Sequence, residues 1–191
     1  QVRNESAGPS ATLFRVKLYD LDGRLVDSWE GEQKTLEPGQ TLTLKASKDV
    51  SGLHFWSWGY GYLYNVVTEL VVDGRVVDSV NTRTGFRKTR FAEGKVWRSD
   101  RVLQLKGFAQ RTSNEWPALG MSVPAWLSDY SNDLMIGCNG NFVRWMHVTP
   151  WKQDVESCDR VGLIQAMPAG DAEKDAVGEQ WRQRTELMRD A

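Results

Sequence analysis

Asn141-Phe142-Val143-Arg144-Trp145-Met146-His147 is the stretch on which the reading of this 191-residue chain turns. Phe142 to Trp145 read as a short strand, and both flanks read as helix. Upstream, Pro124 to Gly137 places Leu127, Tyr130, Leu134 and Cys138 at i, i+3, i+7 and i+11, the stripe of an amphipathic helix. Pro124 suits a helix start and Gly137 lies near its end. Downstream, Trp151 to Arg160 reads as a second helix closed by Gly162, and Leu163 to Met167 as the next strand. Val102 to Lys106, ending at Gly107, supplies the strand before. From Ala172 onward, Val177, Trp181, Arg184 and Met188 give a third helical face. Strands and helices that alternate in this way build a parallel sheet with crossover helices.

Length then narrows the architecture. A (β/α)8 TIM barrel runs to about 250 residues, or about 31 per unit, so the 90 residues from Val102 to Ala191 hold about three units of eight. A dinucleotide-binding sheet is the competitor. Its nearest glycine signature, Gly59-Tyr60-Gly61, leads into a strand and fails the context that such a motif requires.

Residues 1–100 have a different rhythm. Phe14, Val16 and Leu18 alternate with Arg15, Lys17 and Tyr19, the period-2 pattern of a half-buried strand. Asp22-Gly23 turns the chain into Leu25 to Trp29, and Pro38-Gly39 turns it into Gln40 to Lys45. Val66 to Val72, Asp73-Gly74 and Arg75 to Val80 form a hairpin signal. Further short strands fit Phe86 to Phe91 and Lys95 to Trp97. About seven short strands with regularly spaced turns point to an immunoglobulin-like β-sandwich. The expected organisation is therefore a sandwich at 1–100 followed at 101–191 by an incomplete barrel.

Composition excludes several classes. The chain is 40% hydrophobic and 26% charged, with 24 basic against 25 acidic residues and a net charge of -1. Nucleic-acid and anionic-membrane partners need clustered positive charge, and none is present. The longest apolar stretch, Val66 to Val72, is broken by Thr68 and Glu69 and falls far short of the roughly 20 residues of a membrane helix. Cys138 and Cys158 read as buried free thiols. With His54 and His147 they make no zinc spacing, so neither a metal nor a cofactor is expected. The chain opens at Gln1 with neither an initiator Met nor an apolar leader, and reads as starting in the middle of something. Its compartment (periplasmic, secreted or cytoplasmic) stays open. Asn4-Glu5-Ser6 matches a glycosylation sequon, but so short a pattern carries no weight.

Arg144 and His147 sit on and just after a strand, at the end where barrel enzymes place their working residues. Together they could clamp a carboxylate and donate to a sugar hydroxyl; equally, they could be a structural ion pair and a histidine satisfied by backbone. Nine tryptophans are unusual for this length. Trp29, Trp56, Trp97 and Trp181 read as core, whereas Trp145 and Trp151, flanking His147, are open either to core packing or to stacking on a pyranose.

These residues resemble family 2 of the glycoside hydrolases, the group that contains β-galactosidases, β-glucuronidases and β-mannosidases. The resemblance rests on Leu105-Lys106-Gly107, then Asn141, Arg144, His147 and Pro150, then Cys158-Asp159-Arg160-Val161-Gly162-Leu163. Before them come Trp56, Leu63-Tyr64 and Gly85-Phe86-Arg87-Lys88, in the family's order. It implies a retaining exo-glycosidase in which Arg144 supports the nucleophilic carboxylate and His147 lies in the pocket for the terminal sugar. The two catalytic glutamates would come from later strands, beyond Ala191, and the chain alone would not hydrolyse glycosides. Glu115 then reads as part of a loop wall near the pocket and Asp159 as part of a helix-to-strand corner. Arg111, Gln165-Ala166-Met167-Pro168 and the Trp145-Met146 pair depart from the family's usual pattern and leave the sugar open, with a β-galactosidase-like enzyme first and a β-glucuronidase second. The other hypothesis is a non-catalytic module whose sandwich binds carbohydrate or protein. Expected partners are a carbohydrate substrate and, for the barrel part, either a second copy or the rest of the barrel.

Overall fold

Alternation in the N-terminal segment becomes strand where one face can be buried. The structure is a computed structural model that describes residues 1–110, 119, 123–146, 149–167 and 178–190. It divides into two compact units, Gln1–Phe55 with Tyr62–Phe86 and Trp56–Gly61 with Arg87–Ala191. In the first, the strands are β1 (Val2–Arg3), β2 (Ser10–Tyr19), β3 (Leu25–Glu30), β4 (Lys34–Leu36), β5 (Thr41–Leu42), β6 (Tyr64–Val72) and β7 (Arg75–Thr84). An antiparallel sheet runs β3-β2-β6-β7, with β4 paired to the start of β2; β1 pairs only with β5.

Thr12, Val16 and Leu18 of β2 point into the core with Leu36, Tyr64 and Val71. Full burial of a leucine such as Leu18 stabilises by roughly 1.5–3 kcal/mol. The opposite face carries a cross-strand charge ladder. Glu69 accepts from Lys17 Nζ and lies 3.4 Å from Arg15, which also pairs with Glu30 at 2.7 Å. The Lys17 hydrogen bond holds the Glu69 carboxyl below its ordinary range. At the β6–β7 hairpin, Asp73 and Gly74 both have positive φ, 48° and 78°, the backbone that a two-residue turn needs to match strand twist.

The hairpin and β2, β3 and β6 lie where the alternation puts them. The segment after β4 differs. Gln40 to Lys45 yields only Thr41–Leu42, and residues 43–63 hold no strand, only the Ser57–Tyr60 bridge. Lys45-Ala46-Ser47-Lys48-Asp49 offers no apolar alternation to bury, so this stretch is irregular chain.

In the second unit, β8 (Thr89–Ala92), β9 (Lys95–Arg98) and β10 (Arg101–Leu103) form an antiparallel sheet. Then follow β11 (Gly107–Gln110), α1 (Ala125–Gly137), β12 (Phe142–Trp145), α2 (Lys152–Val161), β13 (Ile164–Ala166) and α3 (Glu179–Asp190). β11, β12 and β13 are parallel neighbours in that order. Thus Val102 to Lys106 is not the first parallel strand: Arg101–Leu103 pairs back on β9, and the parallel strand begins at Gly107. A Cβ on Gly107 would lie 1.5 Å from the Phe142 carbonyl oxygen, so the close approach of β11 to β12 admits only glycine. The boundary expected at residue 100 also moves, because β8 to β10 and the loop Trp56–Gly61 belong to the second unit. That loop is tied in by the Trp56 indole N–H donating to the Asp159 carbonyl (2.7 Å) and by Gly59 N–H donating to the Gly162 carbonyl (2.9 Å). Gly162 closes α2 at φ 78°, and a Cβ there would meet Ser57 O at 2.5 Å.

The expected stripe on α1 is wrong in detail. Leu127 is buried, but Tyr130 and Leu134 are 54% exposed and Cys138 is exposed. The buried face is Leu127, Ser128, Asn132 and Met135, because α2 offers polar partners. Ser128 donates to Asp154 (2.6 Å) and Asn132 to Ser157 (2.9 Å). Below them Met135, Val143, Trp145, Cys158 and Leu163 form the apolar core.

Asn141 sets the start of the parallel sheet. Its Nδ2 donates to Gln104 O (2.9 Å), its Oδ1 accepts from Lys106 N–H (2.8 Å), and its own N–H donates to Lys106 O (2.7 Å). Replacing Asn141 by Ala removes two side-chain bonds and leaves their backbone partners unanswered, which should cost about 2–3 kcal/mol. A urea titration of the chain should show the lowered midpoint; an unchanged midpoint would refute this role for the clamp.

Candidate functional site

The strand β12 separates its residues onto two surfaces. Val143 and Trp145 face the helices and are fully buried, whereas Arg144 faces the other side and is exposed. In the parallel register Arg144 lies between Ala109 of β11 and Ala166 of β13. Only methyl groups flank it there, so the guanidinium stands clear of the sheet, and among the described residues it forms no ion pair. A free, planar fork of donors in that position can grip a carboxylate through two hydrogen bonds.

Arg144 and Trp145, adjacent in sequence, therefore do not share a site. Trp145 has no exposed surface, packs with Met135, Val143, Cys158 and Leu163, and donates its indole N–H to Gln165 Oε1 (2.9 Å). This corrects its reading as a stacking platform: the strand's alternation turns it toward the helices, where no sugar can reach it. Trp151 is half-exposed at the N-terminal boundary of α2 and keeps a free face. His147 and Glu115 lie outside the described residues. Among the described residues no group of three His, Cys, Asp or Glu could hold a metal ion.

Sequence patterns gave no sign of Asp154. It is buried, accepts from Ser128 Oγ at 2.6 Å and from the Trp151 N–H at 3.1 Å, and is pushed above the usual aspartate range by loss of water. Its partner, Ser128, is 26 residues away on another helix, so no local motif could reveal the pair. The Asp154 bonds fix the start of α2 against α1. Arg160, paired to Asp129 at 2.7 Å, closes the other end of the same interface.

Residues 1–87 match the sequence model of the glycosyl hydrolases family 2. A β-glucuronidase of Formosa agariphila aligns with the whole chain at 27% identity. By these matches the chain is similar to the glycosyl hydrolases of family 2. A β-galactosidase of Psychromonas ingrahamii, another relative, is 30% identical over 79% of the chain. A solved family 2 β-glucuronidase superposes on 98% of the chain with a TM-score of 0.77 at 27% identity. The chain spans 19% and 14% of the length of those two relatives and 20% of the solved structure.

Asp154 also makes a pH prediction. Because its folded pKa is raised, its neutral form favours the fold: that contribution is present below the ordinary aspartate pKa and is lost as pH rises through the folded value. Replacing Asp154 by Asn should remove this loss. Melting temperatures followed from acid to neutral pH should fall less steeply in the variant than in the parent, and parallel profiles would contradict the assignment.

Proposed function

We propose that these 191 residues are part of a retaining glycoside hydrolase that removes terminal β-linked sugars. In this reading β11, α1, β12, α2 and β13 are the opening of an eight-stranded TIM barrel, and the N-terminal unit is the immunoglobulin-like sandwich that precedes it. The parallel order of the three strands, with a helix after each of the first two, supports the barrel. The observation that carries the function is Arg144, open on the non-helical face of β12 between two alanines.

Retaining hydrolysis needs two carboxyl groups about 5–5.5 Å apart on either side of the scissile bond. Gly107–Gln110, Phe142–Trp145 and Ile164–Ala166 contain no acidic residue, so the glutamate pair is assigned to polypeptide outside the 191 residues. Arg144 then orients the nucleophilic carboxylate from beside it. His147 takes the hydroxyl of the terminal sugar, Trp151 offers a stacking face, and Glu115 is assigned to the pocket wall. Because the relative aligned with the whole chain is named a β-glucuronidase, a terminal β-glucuronide moves ahead of a β-galactoside as substrate.

Nitrophenyl β-glycosides test this directly. The 191-residue chain should release no nitrophenol, and a longer polypeptide that includes it should turn over the glucuronide, with the β-anomer of the sugar formed first by NMR. In that longer enzyme, replacing Arg144 by Ala should lower kcat by about 10²–10³-fold, the loss seen when a pre-organised donor is removed, while melting temperature is unchanged. Sugar binding by the 191 residues, with no hydrolysis by the longer chain, would sink the enzyme reading in favour of a binding module.

A further inference from the structure

Two backbone bonds close the C-terminal end of α1: Asn139 N–H donates to Ile136 O (2.9 Å) and Gly140 N–H donates to Met135 O (2.9 Å). Such a pair ends a helix on a residue in the left-handed region, and Asn139 lies there, at φ 60°. Asparagine is one of the few residues besides glycine that adopts this backbone readily. The position after it is crowded. A Cβ on Gly140 would lie 2.8 Å from Met135 O and 3.0 Å from Met135 Cγ, so the cap calls for glycine. The geometry that ends the helix thus writes Asn-Gly into the chain, the single occurrence of that pair in the sequence.

Asparagine is thermolabile, and most so before glycine, where no Cβ shields the following nitrogen from the side-chain carbon. That nitrogen loses its proton to solvent base, bonds to Cγ of the asparagine and expels the side-chain nitrogen as ammonia. Water then opens the five-membered imide at either carbonyl, leaving aspartate or isoaspartate. Asn139 is exposed to that water, but Gly140 is buried and its N–H is engaged by Met135 O. The folded cap withholds the attacking nitrogen, and the reaction waits on local opening of the last turn. We propose that Asn139 is a spontaneous deamidation site gated by the last turn of α1. Isoaspartate adds one main-chain carbon two residues before Asn141, whose amide grips residues 104–106. That product loosens the β11–β12 register, whereas aspartate keeps the backbone length. The site is independent of the glycosidase reading.

Peptide mapping by mass spectrometry tests it on the 191-residue chain, aged in mildly alkaline buffer with and without denaturing urea. In urea the peptide that contains Asn139 should gain the mass of deamidation. In the folded chain the same change should be more than about tenfold slower, the protection of a group reached only through local opening. Leu134→Gly, an exposed substitution within the last turn, weakens the helix there; it should speed the folded reaction severalfold and leave the rate in urea unchanged. Should that variant not fold, urea below the parent's unfolding midpoint should produce the same acceleration. The isoaspartyl form, separated by chromatography, should melt well below the parent, and Asn139→Asp should melt close to it. Equal rates in the folded and urea-unfolded chain overturn the gate. No conversion at Asn139 in folded Leu134→Gly, or in the parent below its midpoint, overturns the site. An isoaspartyl form that melts with the parent overturns its link to the Asn141 clamp.

Discussion

Everything in the second unit depends on the register fixed between β11 and β12 by Asn141 and Gly107. Asn141 holds the backbone of residues 104–106 through both ends of its amide, and Gly107 lets the two strands close to a distance that no side chain would permit. Side chains alternate across a strand, so a slip of one residue would exchange the two faces. Trp145 would then point away from the helices and Arg144 into them. The clamp thus decides at once which residue fills the core and which stands open.

The helical layer is joined largely by polar groups. Ser128 with Asp154 and Asn132 with Ser157 are buried hydrogen bonds, and Arg160 with Asp129 is a partly exposed ion pair. Apolar packing is concentrated beneath, in Met135, Val143, Trp145, Cys158 and Leu163. Hydrogen bonds of this kind add little net stability each, but leaving one unmade is costly. They therefore select one angular setting of α1 on α2, and that setting leaves Trp126, Tyr130 and Leu134 on the outside.

Local signals in the sequence captured the features that local physics determines. Asp73-Gly74 announced the hairpin because few residues tolerate its backbone; Phe142 to Trp145 formed a strand with the bounds read from the chain; Gly162 closed α2. Three features escaped. The buried face of α1 depends on Asp154 and Ser157, which only the folded chain brings near. The first parallel strand was placed one segment early because Val102 to Lys106 and Gly107 to Gln110 are both short and weakly patterned, and only the pairing with β9 distinguishes them. The unit boundary depends on Trp56 and Asp159, 103 residues apart. Within the candidate site, Arg144 stands exposed on β12, whereas Trp145 misled because a run of apolar residues on both sides of a four-residue strand hides which face is buried.

Burial also divides the two cysteines. Cys138 lies exposed at the end of α1, while Cys158 is sealed in the core, where loss of water, with Asp159 and Asp154 behind it, drives its thiol well above the ordinary range. Only the thiolate attacks an alkylating reagent. Cys138 is therefore a ready handle for a fluorophore or spin label, and Cys158 is a silent clock: each molecule alkylated there records one opening of the helical layer, with no label disturbing the closed state.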